Sequence, residues 1–279
     1  MDFDKLVADI ERKAAENITT DTDDYIEDGL LHCGKCRTPK QVRVILFDKE
    51  RTPMCLCKCA VEQKEREEEA ARRAEFEKKV EKLRRVGFPD EELKGATFDA
   101  DDGNNEKISL AARNYVKNFA TMRENGKGLL LYGGVGRGKT FIAACIANEL
   151  INKGYPCLVT NFSRIINTIQ GMFEGRQQYI DSLNRFDLLV IDDLAAERNT
   201  EYVGEIVQTI IDGRYRAGLP VIITTNLTGE ELKNPSDIQR QRTYSRLLEM
   251  CIPIEVTGRD RRKEKLKAEF KNYADLLGV

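Results

Sequence analysis

The chain has 279 residues, of which 33% are charged and 41% hydrophobic, and its formal net charge is −2. The length predicts one medium-sized domain and a smaller one, and the composition predicts a soluble globular protein in which no apolar run approaches the ~20 residues that span a membrane. The absence of a secretory signal predicts a cytoplasmic location. Because the net charge is close to zero, overall charge gives no reason to expect nucleic-acid binding, and any contact with DNA requires a local basic patch.

The first third of the chain predicts a small domain that precedes the main one. Apolar side chains recur at helical spacing near the N-terminus and predict a short amphipathic helix rather than a secretory signal; they are Phe3, Leu6, Val7 and Ile10. Dense alternating charges predict a solvated helix from Val61 to about Arg85. We therefore predict an N-terminal domain over residues 1–86, a linker over 87–107 and the main domain over 108–279.

Five of the eight cysteines lie between residues 33 and 59. In the reducing cytosol their spacing predicts a structural Zn²⁺ held by four thiolates, which would staple a segment too small to build its own core. The predicted ligands are two pairs, Cys33 with Cys36 and Cys57 with Cys59. Cys55 is the alternate ligand, and the adjacent His32 is a further candidate. An iron–sulfur cluster, a disulfide and a catalytic thiol are the other interpretations.

A glycine-rich loop follows an apolar run in residues 128–140, GLLLYGGVGRGKT. The run predicts a strand buried on both faces, and the segment after the loop predicts a helix. In this context the backbone N–H groups bind phosphate, Lys139 reaches the β- and γ-phosphates, and the Thr140 hydroxyl ligates Mg²⁺. The predicted ATP-binding residues are Gly133, Gly134, Val135, Gly136, Arg137, Gly138, Lys139, Thr140 and Phe141.

A second buried strand, FDLLVIDDL, ends in two carboxylates. We predict that Asp192 holds Mg²⁺ and that Asp193 polarises the attacking water. Asp193 is one methylene shorter than the glutamate that many ring-forming ATPases carry, which leaves the hydrolysis rate open. The strand PVIITTN ends at Asn226, which is predicted to orient that water, with Thr224 and Thr225 as alternates.

The order of elements predicts an α/β fold with a parallel sheet covered by helices on both sides. From about Ile108 a helix leads into the Leu129 strand. The further predicted helices are 140–153, Ser163–Phe173, about 200–217 and a helical end, and the further strands are Pro156–Asn161, 187–192 and Val221–Asn226.

Five segments, behind a cysteine-rich N-terminal region, resemble the bacterial and phage helicase loaders of the DnaC/DnaI type, which are AAA+ ATPases. These segments are LYGGVGRGKT, LLVIDDL, VIITTN, TYSRLLE and GRDRR. The transposition helper ATPases of the IstB type share this core, and the match spans most of residues 85–270. The resemblance implies an AAA+ P-loop core with a small zinc-binding, helicase-contacting domain before it.

The resemblance also implies roles for particular residues. Asn226 matches sensor 1, Arg246 falls on the arginine-finger motif, and Arg262 falls on the sensor 2 arginine. Because GRDRR departs from the usual motif, Arg261 or Arg259 is the alternative for sensor 2. The segment VGFPDEELKGATF resembles the element that precedes the core in the family and is expected near the adenine.

The implied function is ATP-dependent binding of the hexameric replicative DNA helicase and its delivery onto single-stranded DNA. An arginine supplied in trans requires an assembly, so ATP or the helicase is expected to promote self-association. Candidates for single-strand contact are Arg164, Phe173, Arg176 and Tyr179, although an ordinary amphipathic helix also explains that region. The competing functions are a transposition helper ATPase, a metabolic kinase and a non-enzymatic zinc-bearing DNA-binding scaffold.

Overall fold

The computed structural model describes residues 20–263 except 47, 102, 104, 196–199 and 236, together with residues 12, 266, 270, 276 and 277. The predicted N-terminal helix lies outside the described residues. The chain divides into two compact units, Met1–Glu77 and Lys78–Val279. Within the described ranges, no helix is long and apolar enough to cross a membrane.

The first unit contains two short antiparallel hairpins and the start of a long helix. The first hairpin pairs β1 (Tyr25–Glu27) with β2 (Leu30–His32), and the second pairs β3 (Val44–Leu46) with β4 (Lys49–Arg51). Helix α1 follows over Lys58–Gly87. These four strands were not predicted from the sequence, because each has only three residues and too short an apolar pattern.

A polar turn explains the first hairpin. Asp28 and Gly29 separate its strands and both have positive φ angles, 50° and 75°. An Asp-Gly pair with this backbone is the favoured two-residue connection between antiparallel strands. The Asp-Gly dipeptide is therefore a sequence pattern from which this hairpin could be predicted.

The second unit is built on a parallel sheet, as predicted, and the sheet has five strands rather than the four predicted, in the order β6-β7-β8-β5-β9. The strands are β5 (Gly128–Tyr132), β6 (Cys157–Asn161), β7 (Leu188–Leu194), β8 (Val221–Thr225) and β9 (Cys251–Glu255). The fifth strand, β9, replaces part of the predicted helical end. Its sequence contains Pro253, which removes a backbone donor and is tolerated here because β9 is an edge strand.

Helices cover the sheet and connect its strands. They are α2 (Glu91–Lys94), α3 (Glu106–Lys117), α4 (Phe119–Glu124), α5 (Lys139–Asn152), α6 (Phe162–Gln170), α7 (Arg176–Ser182), α8 (Glu201–Ala217), α9 (Gly229–Lys233) and α10 (Ile238–Met250). The predicted helix Ser163–Phe173 is shorter in the structure, where α6 ends at Gln170. A separate helix, α7, follows it. Residues of the predicted linker, Phe88, Ala96 and Phe98, are buried in the core of this unit.

The apolar runs of the central strands bury side chains on both faces of the sheet. In β5, Leu129 and Leu131 contribute to one hydrophobic core, whereas Leu130 contributes to the other. This alternation follows from the two-residue period of a strand, and it explains why a parallel central strand is apolar throughout. Because the strands are parallel, the polar residues at their carboxyl ends lie together at one edge of the sheet.

Candidate nucleotide site and cysteine cluster

The loop between β5 and α5 has a backbone that only glycine adopts easily. Gly136 has a φ of 75°, and a Cβ atom placed there would lie 1.9 Å from Asp260 Oδ1. The loop is also tied to the segment after β9, because the Arg261 N–H donates to the Gly136 carbonyl at 2.9 Å. Glycine at this position thus permits both the turn and the close approach of Asp260.

Lys139 lies at the start of α5 and is buried at the base of this loop. Its Nζ donates to the carbonyls of Gly133 and Gly134, both at 2.9 Å, and to Asn226 Oδ1 at 2.7 Å. Burial lowers the pKa of the ammonium, while the carboxylates of Asp193 and Asp192 oppose that shift. The structure therefore brings the predicted loop lysine and the predicted sensor asparagine into direct contact.

Asp192 lies near the end of β7 and accepts two hydroxyl hydrogen bonds on the same oxygen. Thr140 Oγ1 donates to Asp192 Oδ1 at 2.7 Å, and Thr224 Oγ1 donates to the same atom. A carboxylate and a hydroxyl in contact are hard oxygen donors of the kind that Mg²⁺ takes in nucleotide sites. The residues present thus fit the predicted metal: Thr140 and Asp192 would hold it.

Asp193 follows Asp192 in an unusual backbone conformation, with a φ of 58°. Its N–H donates to Thr224 Oγ1 at 3.0 Å, which fixes the peptide that joins the two acids. Partial burial raises the pKa of Asp193, and the neighbouring charge of Asp192 raises it further. A carboxylate with a raised pKa is a better proton acceptor than an ordinary aspartate.

These residues share one cavity of about 760 Å³, which we call the nucleotide cavity. Ligand sites of ordinary size lie between about 300 and 1,000 Å³, so a nucleotide fits. One wall comes from residues 90–96, the element predicted to lie near adenine, and Val135 to Phe141 form the loop side. Arg261 and Arg262 both line the cavity, whereas Arg259 is not among its lining residues.

Arg246 lies outside the nucleotide cavity of its own chain. It is on α10, where its guanidinium forms an ion pair with Asp212 of α8 and lies 5.8 Å from the centre of the Tyr215 ring. Its assignment as an arginine finger stays a prediction, since such a residue acts on the site of a neighbouring subunit.

The first unit brings the four predicted zinc ligands together. The Sγ atoms of Cys33, Cys36, Cys57 and Cys59 all lie within 4.8 Å of one another, and we call this group the cysteine cluster. Cys33 Sγ lies 3.6 Å from Cys59 Sγ, and Cys57 Sγ lies 3.4 Å from the same atom. Tetrahedral Zn²⁺ with bonds of about 2.3 Å would separate its sulfurs by about 3.8 Å, so the cluster fits that ion.

The pKa values of neighbouring thiols in the cluster are shifted in opposite directions. The Thr38 hydroxyl, 3.0 Å from Cys36 Sγ, is the largest cause that lowers the pKa of Cys36, to about 5. The pKa of Cys59 is raised instead to about 12, mainly by its contact with Cys57. Four thiolates this close would repel one another, and a divalent cation would favour their deprotonation and offset that repulsion.

Neither alternative ligand belongs to the cluster. Cys55 Sγ lies 3.7 Å from the Pro39 carbonyl, and burial raises the pKa of this thiol. His32 Nδ1 lies 3.0 Å from the Leu30 carbonyl, and its ring stacks on Tyr25. The geometry therefore favours the four thiols over a set that contains either residue.

Some residues of the site were not singled out from the sequence. Asp260 lies against the loop at Gly136, and Asp101 forms an ion pair with Arg261 at 3.3 Å. Asn148, within α5, contacts the cavity wall. No local motif marks these positions, because each depends on which segments the fold brings together.

Comparison with known proteins gives a family and several relatives. The model of the family described as IstB-like ATP binding protein matches residues 59–268. The replicative helicase loader DnaI of Bacillus subtilis (strain 168) is 27% identical over 206 residues, which cover 68% of this chain and 66% of DnaI. The replicative helicase loader DnaC of Escherichia coli (strain K12) is 30% identical over 125 residues, which cover 43% of this chain and 50% of DnaC.

A solved structure has a similar fold. A crystal structure of DnaI is similar with a TM-score of 0.53 and 25% identity, and the match covers 64% of this chain and 98% of that one. The sequence matches to the curated relatives span between one half and just under two thirds of their lengths.

Proposed function

The chain belongs to the family of IstB-like ATP binding proteins, and from that membership we propose that it hydrolyses ATP to load a replicative DNA helicase onto single-stranded DNA. The observation that carries the proposal is the set of contacts that joins Lys139, Asn226, Thr140 and Asp192 around one cavity. The similarity to two proteins named replicative helicase loaders supports the choice of helicase as partner.

The chemistry of hydrolysis follows from the positions of these side chains. Lys139 and the loop N–H groups would bind the phosphates, and Thr140 with Asp192 would hold Mg²⁺, which when bound offsets phosphate charge. Asp193 would accept a proton from the attacking water, while Asn226 would hold that water in line. Arg261 and Arg262 line the same cavity and would add positive charge near the phosphates.

Replacement of Asp193 tests the assigned base. We expect Asp193→Asn to keep ATP affinity within about twofold and to lower steady-state hydrolysis by about 10²- to 10⁴-fold, because the amide cannot accept the proton. Since the pKa of Asp193 is raised, wild-type turnover should fall with decreasing pH earlier than an ordinary aspartate would cause. Equal turnover in the variant and the wild type would show that another group is the base.

Replacement of Arg246 tests the assigned finger. We expect Arg246→Ala to leave ATP binding by isolated subunits unchanged and to lower assembly-stimulated hydrolysis by about 10³-fold or more. Arg242→Ala, one turn earlier on α10 and exposed, is the matched control and should retain stimulated hydrolysis.

Mixing two inactive variants distinguishes action in trans from action in cis. Arg246→Ala subunits keep an intact loop, and Lys139→Ala subunits keep an intact Arg246. If Arg246 acts on the neighbouring site, a mixture should regain part of the hydrolysis that neither variant shows alone. A mixture that stays inactive, while both variants still co-assemble, would contradict the assignment.

The partner surfaces form the rest of the proposal. We propose that the first unit, with a Zn²⁺ bound by the cysteine cluster, contacts the helicase, and that ATP or the helicase promotes self-association. For single-stranded DNA, Phe173 offers a fully exposed ring suited to base stacking. Arg164 is already paired with Asp90 at 2.6 Å, and Tyr179 packs against the core, so these two are weaker candidates.

Co-purification with the cognate replicative helicase, with and without ATP, tests the function as a whole. A nucleotide-sensitive complex with several copies of this chain per helicase ring, measured by its mass, would support the loader. Absence of a complex while ATP is still bound would favour the second candidate, a transposition helper ATPase of the IstB type, since the chain belongs to the IstB-like family. Hydrolysis that depends on Lys139 would argue against a non-enzymatic scaffold.

A further inference from the structure

A buried amide links the helix that follows the phosphate loop to the opposite wall of the nucleotide cavity. Asn148 lies on α5 and exposes only 4% of its surface. Its Nδ2 donates to the Leu93 carbonyl at 3.1 Å and to the Ala96 carbonyl at 2.8 Å. The helix that carries Lys139 and Thr140 is therefore bonded to residues that line the same cavity.

The wall that Asn148 holds has little structure of its own. Helix α2 has only four residues, and its N-cap residue, Asp90, makes no side-chain capping bond. So short a helix is unstable without tertiary contacts. The ion pair of Asp90 with Arg164 is partly exposed and contributes little, so the buried Asn148 contacts are the main polar anchor.

This wall lies on the side of the cavity where the nucleoside, rather than the phosphates, would bind. Asn148 follows Lys139 by nine residues in α5, which corresponds to about 13 Å of helix rise. The loop and the first turn of α5 form the phosphate end of the cavity. Leu93, Gly95 and Ala96 line the part of the same cavity that is left for the sugar and base.

Only the nitrogen half of this amide makes hydrogen bonds. Asn148 Oδ1 is buried and finds no hydrogen-bond partner within the described part of the chain. Such an acceptor lowers stability, and an apolar side chain of similar size would avoid that penalty. A role in placing the wall explains why an amide occupies the position.

We propose that Asn148 is a positioning residue for the nucleoside half of ATP, an inference that rests on the proposed ATP binding. By holding Leu93 and Ala96, it sets the distance between the base-facing wall and the phosphate loop. Loss of Asn148 should then weaken the binding of ligands that carry a nucleoside and leave unchanged the binding of ligands made of phosphate alone.

The test compares the dissociation constants of Mg–ATP and of Mg–tripolyphosphate for the full chain. For Asn148→Leu we expect ATP affinity to fall about tenfold, while tripolyphosphate affinity stays within twofold. Asn152→Leu, an exposed amide four residues later on α5, is the matched control and should change neither constant. Far-UV circular dichroism and the melting temperature establish that both variants are folded.

Two other patterns of affinity would overturn the inference. An equal fall in both affinities, or no fall in either, would show that Asn148 does not act on the nucleoside. If the variant fails to fold, hydrogen exchange in the wild type replaces it: ATP should protect the amides of residues 91–97 and tripolyphosphate should not. Failure of the wild type to bind ATP would refute the proposed function together with this inference.

Discussion

Lys139→Ala is expected to weaken ATP binding by about 10- to 100-fold and to lower hydrolysis by at least about 100-fold. The side chain is buried, and its ammonium donates to two loop carbonyls and to Asn226. A charged donor to phosphate contributes about 1.5 to 3 kcal/mol, and alanine offers no replacement for it. Isothermal titration with Mg–ATP and a steady-state phosphate-release assay measure the two effects.

Lys153→Ala is the matched control for this change. Lys153 lies just after the other end of α5, is exposed, and lies outside the nucleotide cavity. The control should bind and hydrolyse ATP like the wild type. If Lys139→Ala also retains its ATP affinity within twofold, the loop is not the phosphate site.

Cys33→Ser is expected to abolish stoichiometric zinc and to unfold the first unit while the second unit stays folded. Cys33 is buried in the cysteine cluster, and its backbone is bonded to both Thr38 and Arg37. Structural Zn²⁺ contributes about 10 to 16 kcal/mol in small zinc peptides, which exceeds what so small a unit stores in its core. Elemental analysis and hydrogen exchange resolved by segment measure the two effects.

Cys55→Ser distinguishes loss of a ligand from loss of any cysteine. Cys55 lies in the same unit but outside the cluster, so its replacement should keep about one Zn²⁺ per chain. Zinc retained by Cys33→Ser, or lost from Cys55→Ser, would refute the ligand set. Unfolding of both units by Cys33→Ser would contradict their independence.

The parallel sheet was predictable because its strands are long and apolar. In β5 and β7 consecutive side chains enter opposite cores, so the sequence carries an uninterrupted apolar run that is hard to mistake. β9 lacked that signal, since Pro253 interrupts its short apolar run, which an edge strand tolerates. The comparisons confirm the AAA+ fold that the motifs implied.

The grouping of the candidate nucleotide-binding residues was predictable where one short segment supplies them. The loop from Gly133 to Thr140 is one contiguous segment, the two acids near the end of β7 are another, and parallel strands bring such segments to one edge of the sheet. Asp260 and Asn148 were missed because their contacts join segments more than fifty residues apart. The roles assigned to Lys139, Asp193 and the other site residues stay predictions, as do those of Arg246 and Arg262, because side-chain position alone does not identify a group that acts on phosphate.

The left-handed backbone at Asp193 has a consequence for protein engineering. Aspartate and asparagine tolerate a φ of 58° because their short side chains bond locally, whereas a glutamate there would add strain of roughly 1 kcal/mol. The shorter acid is thus matched to the shape of this turn. A designer who seeks a faster enzyme by lengthening this acid would also have to rebuild the peptide that Thr224 holds.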